Sequence, residues 1–201
     1  MAELAALLVG DPSELWTGLG FVVDGGVAHV SGTRLILDGP RDGLVDWSLR
    51  GLAEKIPSLD GAPLGLPVLP AEATPDHPNG VVSLDHLVVV TPDLGRTIEN
   101  IEAAGIDLRR LRDAGASMQQ AFFKLGEVVL EVVGPKQANG DAPLRLAGLA
   151  WTVRDLEETA AFLGDRLKPA KDAVQPGRRI ATLASAAGST VGQAFMTGES
   201  G

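Results

Sequence analysis

Two strings decide the fold: SLDHLVVVTPDLGRTIENIEAAGIDL, from Ser83 to Leu108, and QQAFFKLGEVVLEVVGP, from Gln119 to Pro135. The first opens as a strand in which Leu84, His86, Val88 and Val90 share one face and Leu87 and Val89 the other. Apolar residues on both faces predict a strand that is covered twice. Thr91 as cap and Pro92 at the first helical position then start an amphipathic helix, which Gly105 ends. Strand-like runs follow at Asp107 to Arg112, Met118 to Leu125 and Glu127 to Val133. The unit therefore reads strand, helix, three strands.

The same order occurs twice more. An earlier copy, LAALLVGDPSELWTGLGF from Leu4, has Asp11 as cap, Pro12 at the first helical position, Glu14 completing a capping box and Gly20 as the stop. Its strands are expected at 21–24, 27–31 and 33–37, with a further run, GLVDWSLRGL, from Gly43. A later copy, LAGLAWTVRDLEETAAFLGDRL from Leu146, has its helix from Asp155 to Gly164 under the weakest cap of the three, and strands near 178–185 and 190–196. The chain divides into a degenerate N-terminal module (1–52), a linker rich in proline and glycine (53–79), a full module (80–137) and a second full module (144–198). The expected fold class is α+β. Because such a unit cannot bury both sheet faces alone, paired βαβββ modules should curl into a cupped mixed sheet whose interior is a ligand pocket.

Composition narrows the function. A formal charge of -9 argues against nucleic acid and anionic membrane surfaces as partners. The absence of cysteine excludes thiolate metal sites and thiol nucleophiles, and the absence of tyrosine removes a phenolic acid. Neither a signal peptide nor a membrane span is read, so a cytoplasmic protein is expected. The N-terminal copy leaves a sheet face or edge that a second chain could cover, which predicts a homodimer.

Glu131 is the one charge inside VVLEVVG, and a carboxylate among valines needs a compensating partner: an ion, a catalytic role or a hydrogen-bonding neighbour. His86 is either a core imidazole satisfied by a carbonyl or a ligand. His77, in DHPNG, reads as a turn residue or as part of a lid at the cup mouth. Gln120 and Gln193 are candidate polar pegs in the cup. Arg178, in QPGRR, is a solvated turn residue or a clamp for an anionic group. Trp16, Trp47 and Trp151 read as core.

With these residues in place, the chain resembles the vicinal oxygen chelate superfamily, also called the glyoxalase, bleomycin-resistance and dioxygenase superfamily. The match is best over 83–135 and weaker over 145–197. The resemblance implies that two modules build one site and that each supplies a divalent-metal ligand from its first and last strands. Carried over, these are His86 and Glu131, with Glu131 also the catalytic candidate; the residues read above, Gln120, Gln193, His77 and Arg178, are the candidates to surround a substrate. Aligning Asp93 with Asp155 sets Gly148 opposite His86, and aligning Gly126 with Gly188 sets Gln193 opposite Glu131, so the second module departs from the pattern. Extradiol ring cleavage, which needs more histidines, is disfavoured. The resemblance leaves a small oxygenated organic ligand in the cup, handled either by a divalent-metal-assisted lyase or isomerase or by a metal-free binding protein of the resistance type. A third reading is a structural relic with a filled cup.

Overall fold

The computed structural model describes residues 1–198. The segment 81–197 forms one eight-stranded sheet. Its first half is β7 (Val81–Val90), α2 (Leu94–Ala103), β8 (Arg110–Asp113), β9 (Met118–Leu125) and β10 (Val128–Pro135). Its second half is β11 (Arg145–Val153), α3 (Leu156–Leu163), β12 (Lys171–Asp172), β13 (Arg179–Thr182) and β14 (Gly192–Thr197). The spatial order is β12-β13-β14-β11-β7-β10-β9-β8. In each half the first strand pairs in parallel with the last, and β7 joins β11 antiparallel at the centre. These are paired βαβββ modules in a mixed sheet, the α+β arrangement of the glyoxalase and bleomycin-resistance fold.

The turn between β9 and β10 shows how local sequence sets register. Only Gly126 takes positive φ there, the pattern of a type II′ hairpin, and the pairing of Leu125 with Val128 follows from it. The helix starts differ from expectation. Asp93, not Thr91, caps α2 by accepting from Arg96 N. Asp155 accepts from both Glu157 N and Glu158 N, so the cap read as weakest is the best satisfied.

The N-terminal segment makes a separate four-stranded sheet of β1 (Glu3–Val9), β2 (Val27–Val30), β3 (Thr33–Ile36) and β4 (Leu44–Arg50), with α1 (Ser13–Gly18) after β1. A short hairpin, β5 (Ser58–Leu59) and β6 (Ala62–Pro63), lies between the two sheets in the chain. β1 runs parallel to β3 and antiparallel to β4, so β4 takes beside β1 the place that β11 takes beside β7. The stretch 21–24 contributes only a single bridge at Asp24. Asp11 caps nothing, because α1 begins after Pro12 without a side-chain cap. Its carboxylate turns inward to Ser189, Thr190 and Trp16.

This sheet packs against the central strands. Trp16 and Phe21 meet Trp151 of β11, with ring centroids 6.1 and 5.2 Å away, and the Gly43 N–H donates to Thr190 Oγ1 at 2.7 Å. All three tryptophans are fully buried, as read from the sequence. Part of the face from which a homodimer is expected is therefore packed within the chain.

The end of the linker is pinned, not solvated. His77 is completely buried: Val22 N donates to its Nδ1 at 3.0 Å, and its Nε2 lies 3.2 Å from His29 O, which fixes Nε2 as the protonated nitrogen. Asn79 spans Leu19 O and Val81 N in the same way. Burial holds the His77 pKa below its ordinary value against the opposing pull of the His29 carbonyl and Asp76, and Arg154 adds to the lowering. The unfolded chain then takes up this proton first, so stability is fully present above about pH 6.5 and declines as acid passes below that value. Melting temperature should fall further between about pH 7.5 and about pH 5 in wild type than in His77→Asn, whose side-chain oxygen can still accept from Val22. Equal falls would assign the acid sensitivity elsewhere.

Candidate functional site

Successive residues of a strand point to opposite faces, so the two sides of the eight-stranded sheet carry different chemistry. Leu87, Val89, Ala121, Phe123, Leu130 and Val132 are buried on the side covered by helices and by the N-terminal sheet. The other side is concave and encloses a cavity of about 530 Å³. His86, Gln120, Glu131 and Arg112 bring polar groups to it, and Val88, Phe122, Ile180 and Met196 supply apolar wall. A larger groove, about 780 Å³, runs between β4 and the 52–68 segment, away from these groups.

The two principal candidates meet in this cup. Glu131 pairs with Val88, two residues beyond His86 on the adjacent strand, and His86 pairs with Val129. That diagonal lets both side chains approach one ligand. The partner that the Glu131 carboxylate needed is Gln120, whose Nε2 donates to Oε1. Arg112 orients this amide, since its Nε donates to Gln120 Oε1 at 3.0 Å and leaves the NH2 group for Glu131. The Arg112 guanidinium lies 5.3 Å from the Phe122 ring centroid.

His86 is held from the strand itself. The pairing of β7 with β11 shifts between Ala150 and Trp151, so Asp85 is an extra residue, a β-bulge. Leu84 then lies opposite Trp151 rather than on the His86 face, which corrects the alternation read from the sequence. The bulged Asp85 carboxylate bonds His86 Nδ1 through one oxygen. Its other oxygen accepts from Arg178 Nη2 and, at 2.9 Å, from Thr152 Oγ1. Burial alone would push the Asp85 carboxyl up, but hydrogen bonds from His86 and Arg178, the attraction of His86 and the Thr152 hydroxyl together hold it well below the ordinary carboxylate range. Asp85 was not singled out in the sequence; a carboxylate directly before a strand histidine was the available signal, and alternation assigned it to the opposite face.

Three candidates lie elsewhere. His77 is sealed beneath the N-terminal sheet. Arg178 is buried on Asp85 and on Thr197 O, behind the cup, and only the neighbouring Arg179 is exposed. Gln193 borders the cavity, but its side chain accepts from Trp151 Nε1 at 2.9 Å and donates to Ser189 Oγ at 3.0 Å, on the buried side. The cause is a slip. Gln193 pairs with Leu149, one residue past Gly148, whereas Glu131 pairs with Val88, two past His86. The turn after Gly188 is longer than the one after Gly126, and the counterpart of Glu131 is Ala194, paired with Ala150.

Opposite His86 and Glu131 the second module thus presents Gly148, Ala150, Gly192 and Ala194, and Ile180, Thr182 and Met196 add to its share of the lining. A Cβ at Gly148 would stand 2.9 Å from Gly192 O, so the strands approach too closely there for any side chain. A divalent ion would find His86 Nε2 and Glu131, and among the described residues no three His, Asp or Glu side chains cluster to hold one. This donor set does not fit a resident divalent metal, which needs at least three protein ligands in sites of this kind.

No protein-family model and no curated protein sequence matches the chain. Among solved structures, methylmalonyl-CoA epimerase from Mycobacterium tuberculosis is similar at 19% identity and a TM-score of 0.49, over 60% of this chain and 91% of that one. A hypothetical protein from Bacillus halodurans C-125 is similar at 16% identity and 0.48, over 59% and 96%. A Streptomyces coelicolor methylmalonyl-CoA epimerase in complex with 2-nitronate-propionyl-CoA is similar at 18% and 0.48, over 60% and 96%. Among the described residues no helix is long and apolar enough to cross a membrane.

Proposed function

We propose that the cup binds a small, flat, largely apolar molecule carrying a hydrogen-bond donor, without a resident metal. The observation that supports this reading most is the close approach of Gly148 to Gly192, which leaves no room for a side chain at Gly148. Where a ligand-bearing wall would stand there is a smooth floor of glycine and alanine, and Phe122, Val88, Ile180 and Met196 face the space above it. Such a slot suits a planar ring. The polar end of the slot is an acceptor: Glu131 keeps one carboxylate oxygen beyond the Gln120 bond, and His86 offers Nε2 because Nδ1 is committed to Asp85.

5-Nitrobenzimidazole, a planar ring with one N–H, is a suitable probe. Calorimetric titration should show binding that survives EDTA and does not tighten with added manganese or zinc. Glu131→Leu should weaken it roughly tenfold, the size of one hydrogen bond to a charged group. Binding that depends on added metal, or that is indifferent to Glu131, would overturn the reading.

A further inference from the structure

We infer that Asp85 and His86 form a metal-independent proton-abstracting pair, with His86 Nε2 as the base toward a flat aromatic ligand bearing an acidic C–H. The inference rests on the reading of the cup as a small-molecule site. Asp85 is the positioning residue.

Four observations carry it. A β-bulge turns Asp85 from the face that alternation assigns it and onto the Nδ1 side of the neighbouring ring. Arg178 and Thr152 occupy the other carboxylate oxygen, so the group cannot swing away from the imidazole. His86 lines the cavity with its Nδ1 on Asp85, and no group of the described protein hydrogen-bonds its Nε2. Among the described residues no metal-ligand cluster competes for that nitrogen. A carboxylate on Nδ1 holds the proton there, leaves the Nε2 lone pair exposed and stabilises the imidazolium that forms when Nε2 takes a proton. Neither a core histidine nor a purely structural ion pair requires an Nε2 that faces the cavity without a protein partner.

The charged groups facing this slot are Glu131 from β10, Arg112 from β8, Lys171 and Asp172 from β12, and Asp85 with Arg178 behind the ring. Glu131 is the second acceptor. Held by Gln120, it is placed to fix the ligand's donor end, while His86 addresses the C–H.

5-Nitrobenzisoxazole tests the pair, since its ring opening requires only a base. Nε2 takes the ring-carbon proton, the C–H electron pair becomes part of a nitrile, the N–O bond breaks and the oxygen leaves as a phenolate; the proton then passes from the imidazolium to water. The full-length protein should open this probe roughly a hundredfold faster, per site, than free imidazole at the same pH, and EDTA should change nothing. His86→Ala and His86→Gln should each lose at least about tenfold of that rate. Asp85→Asn gives a signature that misfolding does not. Arg178 can only donate, so the Asn oxygen must turn to it and the NH2 group must face Nδ1. The imidazole is then forced into the Nε2–H tautomer and has no lone pair for the ligand. Nitrogen-15 spectra should show Nδ1–H in wild type and Nε2–H in Asp85→Asn, together with loss of turnover.

A wild-type rate no better than imidazole, a rate kept by His86→Gln, or a wild-type Nε2–H tautomer would overturn the inference. Binding of 5-nitrobenzimidazole without ring opening would remove the base and leave the binding site standing. Failure of both probes would remove both readings.

Discussion

Replacing Asp11 with alanine is expected to destabilise the protein by about 3 kcal/mol, the scale for stripping a buried charged acceptor from its donors. Asp11 is 1% exposed, and its carboxylate collects Trp16 Nε1 at 3.2 Å, Thr190 N at 2.8 Å and the hydroxyls of Ser189 and Thr190. Alanine leaves the Trp16 and Thr190 N–H groups buried without acceptors. The melting temperature should fall by on the order of 10 °C for a chain of this size. Asparagine keeps one acceptor oxygen, which can serve Trp16 Nε1 or Thr190 N but not both, so it should cost less than alanine without being neutral. A loss below about 1 kcal/mol in Asp11→Ala would show that the N-terminal sheet is held by its other contacts and not by this carboxylate.

The second large effect is expected at Arg178→Met, which should cost about 3 kcal/mol near neutral pH by leaving the Asp85 carboxylate without its cation. Asp85 is 13% exposed, so water makes up little of the loss. The pH dependence has a definite sign. The folded-state pKa of Asp85 lies below its ordinary value, so the stabilisation is fully present above about pH 4 and is lost as pH falls further. The difference between wild type and Arg178→Met should therefore be constant through neutral pH and narrow below about pH 4, as read by chemical denaturation at several pH values. A deficit that does not change with pH would assign the cost to packing of the guanidinium rather than to its charge.

These two sites mark where sequence reading reached its limit. Asp11 before Pro12 has the form of a helix cap, and capping is a local property of neighbouring residues. The carboxylate instead answers to Ser189 and Thr190, at the far end of the chain, because a buried set of donors outweighs one exposed helix start. Arg178 in QPGRR has the form of an open turn, but the turn folds back on Asp85 of another module.

What the sequence determined by itself is what local periodicity carries. The order of strand, helix and strands, the pairing of two such units in one sheet and the burial of the three tryptophans follow from alternation, turn residues and repeat spacing, whereas placing His86 and Glu131 in one cup also drew on the family resemblance. Tertiary structure decided whatever depended on one residue of register. The bulge at Asp85 reversed the face of Leu84 and created the contact with His86. The longer turn after Gly188 moved Gln193 off the cup and put Ala194 there instead. Because strand side chains alternate with a period of two, a single inserted residue exchanges the lining of a pocket for the core behind it, and only the pairing of distant strands shows where that insertion falls.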